Sequence, residues 1–299
     1  YFIGLNRNKR GCVMDLTRAP LREALLALLA DADVLVENFK TGTLEKWGLG
    51  FDVLHAKFPR LVHCRVSGFG ADGPLGGLPG YDAAIQALSG IMSVNGEAGG
   101  EPLRVGLPVV DMITGLNAAL GIMFALHERQ RSGQGQFVEA ALYDCGLSLL
   151  HPHAANHLMD GRIPRRTGNA HPNITPYDTF ATGSTPIFLA VGNDGQFAKL
   201  CEGIGAPELS GDPRFANNAL RNQHRDELKR LLEAKLAAFT DCEALADRLV
   251  RAGIFPGAQS AHLLGAWVHG KTIGLIGGGG RIGRAVAKRA QGFSMRYTL

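Results

Sequence analysis

The sequence predicts an α/β layer protein followed by a smaller α+β unit, and three observations carry that prediction. Short apolar, strand-like runs alternate with helical ones through the first 150 residues. Near residue 160 prolines and polar residues break this rhythm. Beyond Tyr177 a hairpin signal is followed by helical stretches. Pro20 to Ala32, rich in Leu and Ala, has the composition of a helix, and Asp33 to Asn38 reads as a short buried strand. Leu61 to Val66 is a second strand, closed by Ser67-Gly68-Phe69-Gly70 and the breaker-rich stretch Asp72 to Gly80. Helical signals return over Tyr81 to Met92 and Asp111 to Arg131, where Gly115, Ala118, Ala119 and Gly121 permit close packing. Strands separated by helices imply parallel pairing. A glycine-rich turn from Gly133 then feeds a third apolar strand ending at Asp144, with a helix expected over roughly 145 to 159. Pro164, Pro172 and Pro176 mark a linker. Thr179 to Ala181 and Pro186 to Val191 read as a hairpin, and helices are expected over Gly195 to Ile204, Asn222 to Ala238 and Asp241 to Ala252. The resulting division is a large domain over 1–160, a linker over 161–176, a small α+β domain over 177–258 and a strand–helix tail over 259–299.

Composition narrows the function classes. At 299 residues and 45% apolar, the chain can bury one large core or two ordinary ones. Its 31 basic and 27 acidic residues leave a net +4 without a run of five like charges, so no nucleic-acid footprint is visible. The cluster Asn6-Arg7-Asn8-Lys9-Arg10 suits one phosphate-bearing ligand better than a polymer. Five cysteines, odd in number, far apart and without a CxxC pair, argue against a disulfide framework or a zinc site and for a reducing cytoplasm. No apolar run of about 18 residues and no signal-type N-terminus stands out, so neither membrane insertion nor secretion is expected. A chain that opens on Tyr1 rather than Met reads as a segment of something longer.

Asp144 is the residue that most invites a chemical explanation. A carboxylate at a strand end, beside the start of a helix, is held on rigid elements near backbone N–H groups and a partial positive charge. It can serve as a nucleophile or base, or it can simply cap the helix. Spacing alone leaves both readings open.

Several ordered motifs decide more. Asn6-Arg-Asn-Lys-Arg10, Asp33-Val-Leu-Val-Glu-Asn-Phe39, Gly42 to Gly50, Ser67-Gly-Phe-Gly70, Gly80-Tyr-Asp82, Arg131 to Gln136 and Gly168-Asn-Ala-His-Pro-Asn173 together resemble the class III CoA-transferases, over roughly residues 1–258. The resemblance implies a Rossmann-like large domain with a parallel sheet, a smaller α+β domain, an interlocked homodimer, and coenzyme A as part of an acyl-CoA substrate. Asp144 aligns with the family's nucleophilic aspartate. Its carboxylate would attack an acyl-CoA thioester to give a mixed anhydride, and CoA would reach a new carboxylic acid through an aspartyl-CoA thioester. Lys9 and Arg10 are then expected at the CoA phosphates, Asn38 and Phe39 along the nucleotide or pantetheine path, Lys46 near phosphate, and Arg104 at CoA or the site wall. Gly168, Asn169 and His171 occupy the family's mobile glycine-containing loop, or an ordinary interdomain linker. Arg165, Arg166 and His171 are candidates to hold the far carboxylate of a dicarboxylate, and the pattern looks most like members that use succinyl-CoA. His151, His153 and His157 are read as packed or solvent-facing, since this chemistry needs no metal. A sister family, the α-methylacyl-CoA racemases, uses a histidine where this chain has Tyr81, together with an aspartate at the position of Asp111. Tyrosine, with an ordinary pKa near 10, is a poor base for an α-proton. Tyr81 and Asp111 are therefore expected to shape the pocket, with Asp111 capping the helix that follows.

The tail departs from that family. Gly270 to Ala290 resembles the nucleotide-binding start of D-2-hydroxyacid dehydrogenases, with a strand entering Gly278-x-Gly280-x-x-Gly283. No acidic residue for the ribose and no second strand follow, so NAD binding is not expected. The family's N-terminal strand and helix and its returning C-terminal segment are expected to be missing, as in a truncated or fused product. The tail strand Thr272 to Ile276 is a candidate to dock in the vacant sheet position. Three alternatives stay open beside CoA transfer: an isomerising acyl-CoA enzyme, an NAD-binding fragment, and an inactive chain that only binds or assembles.

Overall fold

The central strand β2 (Val62–Ser67) is hydrogen-bonded on both edges, by β1 (Val34–Glu37) and β3 (Phe137–Ala141). Both pairings are parallel. Val34 is registered with Val62 and His63 with Phe137, so the three carboxyl ends fall together at Glu37, Ser67 and Ala141. The central strand is buried along most of its length, including His63, Arg65 and Ser67. The structure, a computed structural model, describes residues 2–253 and, beyond them, the backbone of Phe255–Gly257, Thr272–Gly274 and Arg296–Thr298. The chain is mixed α/β with a parallel sheet. Its two compact units divide between Gly168 and Asn169.

In the first unit, the short α1 (Phe2–Leu5) precedes α2 (Ala19–Leu29), which carries Pro20 in its first turn, where a missing N–H costs nothing. The leucines of α2, α3 (Thr43–Lys46) and α4 (Phe51–Lys57) form one small core with Leu49 and Leu61. The helix expected over Tyr81 to Met92 is two, α5 (Asp82–Leu88) and α6 (Ile91–Val94), because Gly90 turns left-handed at φ 91° between them. The long α7 (Val109–Ser132) ends at Gly133, φ 76°, whose N–H returns to Arg129 O at 2.9 Å. By length and composition alone α7 could cross a membrane. Here it packs on β2 and β3 through a stripe of Thr114, Ala118, Gly121 and Ala125. A Cβ on Gly121 would lie 2.7 Å from Val138 Cγ1. Gly115 and Ala119, also expected in that contact, are exposed instead.

The helix expected from residue 145 starts earlier. α8 (Leu142–Ser148) follows β3 without a loop, and α9 (His153–Asp160) is separate from it. Asp144 is therefore not the N-cap; Ala141 is, and Asp144 is the third helical residue.

In the second unit β4 (Tyr177–Phe180) and β5 (Ile187–Ala190) form the expected hairpin, and β6 (Phe255–Gly257) adds a third antiparallel strand. α10 (Asp194–Gly203), α11 (Pro207–Ser210), α13 (Arg225–Leu236) and α14 (Cys242–Arg251) enclose one core with them. The helix expected from Asn222 is broken at His224, with α12 (Asn218–Gln223) before the break. In the tail, β7 (Thr272–Gly274) pairs in parallel with β8 (Arg296–Thr298) and not with the large sheet. The tail strand expected to dock in a vacant sheet position thus belongs to a two-stranded sheet of its own, with a second parallel strand that the sequence did not lead one to expect. The glycine-rich turn over 277–283 lies outside the described residues.

Candidate active site

Parallel strands expose backbone N–H groups and loop residues at their carboxyl ends, which is where open α/β sheets hold ligands. A cavity of ≈ 530 Å³ lies at that end of this sheet. Asn38 to Thr41 follow β1, Ser67 ends β2 with Gly68 after it, and Leu142 follows β3; all line it. The opposite wall is Leu78 to Asp82 with Asp111 and Thr114 from the first turns of α7.

Two close contacts shape this space. A Cβ on Gly68 would stand 2.4 Å from Gly80 N and 2.9 Å from Leu78 O, so glycine is the residue that lets the two walls meet. Tyr143 N–H then donates to Gly68 O at 3.0 Å, which ties the start of α8 to the cavity rim. The other organiser is Asp82. Its Oδ1 accepts from Val110 N at 2.8 Å and Asp111 N at 3.1 Å, and its Oδ2 accepts from Gln86 Nε2 at 2.6 Å. Asp82, not Asp111, thus caps α7, the reverse of the sequence expectation. Asp111 lines the cavity instead, its carboxyl pushed up by burial and by the charge of Asp82.

Of the residues singled out in sequence, Asn38, Phe39, Tyr81 and Asp111 come together in the cavity wall. Phe39 packs edge-on against Trp47 at 5.6 Å. Asp144 lies on the exposed side of α8, two residues past the cavity-lining Leu142. Lys9, Arg10, Lys46 and Arg104 are exposed and do not line the cavity, nor does Arg165. Arg166 donates to Ser93 O at 3.3 Å, and Gly168, φ 62°, donates to Gly96 O at 3.0 Å. Asn169 and His171 belong to the second unit, where Asn169 Nδ2 donates to Thr179 Oγ1 at 2.9 Å and the His171 N–H to Tyr177 O at 2.9 Å. No group of three or more metal-ligating side chains gathers among the described residues.

Sequence reasoning missed Lys40, Thr41 and Ser67 in the wall, although Lys40 directly follows the Asn38-Phe39 pair. It also missed a buried ionic cluster beneath that wall. Arg65 Nε donates to Glu37 Oε1 at 2.6 Å and its terminal nitrogen to Glu45. Glu37 Oε2 accepts from Phe39 N at 2.8 Å. His63 is fully buried beside this cluster, its Nε2 3.9 Å from Glu37 Oε1, and burial pushes its imidazole down against the pull of that carboxylate.

Comparison with known proteins matches most of the chain to one family. The CoA-transferase family III profile covers residues 1–260. The chain belongs to CoA-transferase family III. It is 40% identical over 235 residues to the succinate–glutarate CoA-transferase of Agrobacterium fabrum, covering 79% of this chain and 59% of that protein. It is 39% identical over 254 residues to the succinyl-CoA:mesaconate CoA-transferase of Haloarcula hispanica, covering 83% of this chain and 63% of that one. The crystal structure of a CAIB/BAIF family protein from Brucella suis superposes with a TM-score of 0.68 at 42% identity, over 85% of this chain and 67% of the other. This family III member thus spans less than two thirds of the curated relatives named here. Residues 235–299 also match the NAD binding domain of D-isomer specific 2-hydroxyacid dehydrogenases, overlapping the end of the first match.

Proposed function

We propose that this chain moves CoA from an acyl-CoA, succinyl-CoA being the favoured donor, to a carboxylic acid, with Asp144 as nucleophile. The observation that carries the reading is the placement of Asp144: exposed, in the first turn of α8, at the carboxyl end of β3, on a helix bonded to the cavity rim through Tyr143 and Gly68. An Asp144 oxygen attacks the thioester carbonyl, the C–S bond breaks, and CoA leaves as the thiolate, giving a mixed anhydride. The thiolate then attacks the aspartyl carbonyl and releases the first acid as carboxylate. The second carboxylate attacks the resulting aspartyl-CoA thioester, and the freed thiolate takes its acyl group, which regenerates Asp144. Each step passes the acyl or aspartyl group on without hydrolysis, so covalent catalysis replaces one difficult direct exchange by several easier ones.

The cavity suits the donor. Asn38, Phe39 and Lys40 offer an amide, a ring and a cation along one wall, a combination that fits the pantetheine arm and a phosphate. Lys9, Arg10, Lys46 and Arg104 are proposed for the outer phosphates. Arg165, Arg166 and the Gly168-Asn169-Ala170-His171 stretch are proposed for the acceptor acid and its enclosure. The succinyl preference draws on the names of the relatives. A homodimer is proposed as well, on the apolar stripe Met112, Leu116, Leu120 and Met123 that α7 leaves exposed.

The decisive experiment is mass spectrometry of the chain after incubation with succinyl-CoA, with hydroxylamine or borohydride trapping. A modification should map to Asp144 in the wild type and be absent from Asp144→Asn, whose turnover should fall at least about a thousandfold. An adduct that survives in Asp144→Asn, or an unmodified wild type that binds no CoA, would reject the proposal.

A further inference from the structure

Arg65 is an unusual occupant of a central parallel strand. It is 4% exposed, between Cys64 at 0% and the half-buried Val66. A guanidinium in such a place is tolerated only when its donors and charge are met. Here the fork is met on two sides, by Glu37 at the end of β1 and Glu45 on α3, while its plane sits over the Phe137 ring at 5.2 Å.

The cluster continues into the cavity wall. The β1 ladder stops at Glu37, and the chain then turns: Gly42 takes φ 85° and Thr43 N–H closes on Lys40 O at 3.0 Å. Just before that turn the Phe39 N–H is held by the second oxygen of Glu37, at 2.8 Å. One carboxylate therefore joins two donors, the Arg65 guanidinium of the rigid central strand and the backbone of the wall. Glu45 fixes the far end of the same turn to the same arginine. Irregular backbone is otherwise the least stable part of such a site, and a wall that must fit a ligand needs its position set by something rigid.

We propose that Arg65 and Glu37 are positioning residues: they hold the Asn38–Thr41 wall in the form that accepts the CoA portion of the substrate, without touching it. The inference rests on the acyl-CoA reading of the cavity.

Glu37→Gln is the sharpest variant, since it keeps the size of the side chain but leaves one acceptor oxygen for two donors. Arg65→Lys is the second: it keeps the charge but loses the planar fork that spans Glu37 and Glu45. Both would be compared with the wild-type full chain by amide hydrogen exchange and by calorimetric titration with free CoA. Exchange of the Phe39 amide should quicken about tenfold in Glu37→Gln, CoA affinity should weaken by a similar factor, and exchange in α13 should stay the same. Arg65→Lys should change both readouts in the same direction. Unchanged Phe39 exchange in both variants would overturn the clamp itself. Faster exchange with unchanged CoA affinity would overturn the positioning role and leave the acyl-CoA reading standing. A wild type that binds no CoA, with the exchange difference intact, would remove that reading and the positioning role with it.

Discussion

Residues 169–253 gather seventeen buried apolar side chains into one cluster, from Phe180 on β4 to Leu249 on α14. Residues 2–168 divide theirs among three clusters of five, four and three. The surfaces differ in the same sense. Among the described residues, the exposed large apolar side chains belong to the first unit except for Val250, and five of them, Met112, Leu116, Leu120, Met123 and Phe124, form one stripe on α7. A unit that seals its own core needs nothing further, whereas a divided core with an open apolar face is arranged around something else. In the first unit, part of that something is the cavity, and the exposed stripe is the face proposed above for a second copy. The contrast makes function and incompleteness go together: the unit with the candidate site is the less self-sufficient one.

The largest expected effect tests the sealed unit. Arg221 is fully buried, with Nε on Thr175 O at 2.8 Å, one terminal nitrogen on Phe215 O at 3.1 Å, the other on Asp194 at 2.7 Å, and its plane 4.6 Å from the Phe197 ring. Arg221→Met leaves two carbonyls without a donor in a dry interior, at a cost of about 2–5 kcal/mol. Urea denaturation followed by circular dichroism should show this loss. A change below about 1 kcal/mol would mean that apolar packing alone supports the unit, and that its buried arginine is dispensable.

A smaller effect is expected at the cavity. Gly68→Ala places a Cβ 2.4 Å from Gly80 N, against backbone that has no side chain to rotate away. The expected cost is about 1–3 kcal/mol, with weaker CoA binding, because the two walls must part. Gly115→Ala, by contrast, meets nothing within 4 Å although Gly115 also lines the cavity, and it lies in a helix. It should stabilise by about 0.5–1 kcal/mol and leave binding intact. Equal behaviour of the two variants in thermal unfolding would break the claim that the Gly68–Gly80 crossing sets the cavity.

These positions show what a sequence can carry. The three parallel strands and the hairpin were legible because each is a short apolar run between breakers, and that signal is local. The early start of α8 was not: β3 passes into it without a loop, so no punctuation separates Ala141 from Leu142. The capping of α7 was misassigned for a related reason. Asp111 sits in its first turn and is the obvious local cap, but the group that accepts the N–H bonds of Val110 and Asp111 is Asp82, 28 and 29 residues earlier in the chain. Arg65 was invisible in the same way, because its partners Glu37 and Glu45 lie 28 and 20 residues away. Periodicity announces which face is buried; it says nothing about which distant carboxylate will meet a buried charge. The family motifs drew attention to Asn38 and Phe39, and the contrast with the sister racemases to Tyr81 and Asp111; the fold then gathers those four around one cavity.

The smallest effect on stability should come from the open face of α7, and it separates two explanations of that face. Leu116 and Leu120 are 60% and 54% exposed, so neither contributes much buried area within this chain. Glutamine matches leucine closely in helix propensity, and Leu116→Gln with Leu120→Gln should change unfolding free energy by no more than about 0.5 kcal/mol at low concentration. Where a second copy covers the stripe, the same substitutions remove an apolar contact from the interface. The mass measured by light scattering should then fall from two chains to one while the circular dichroism spectrum stays unchanged. A drop in helicity without a change in mass would instead place the stripe against residues of its own chain, and the contrast between the sealed and the open unit would have to be drawn differently.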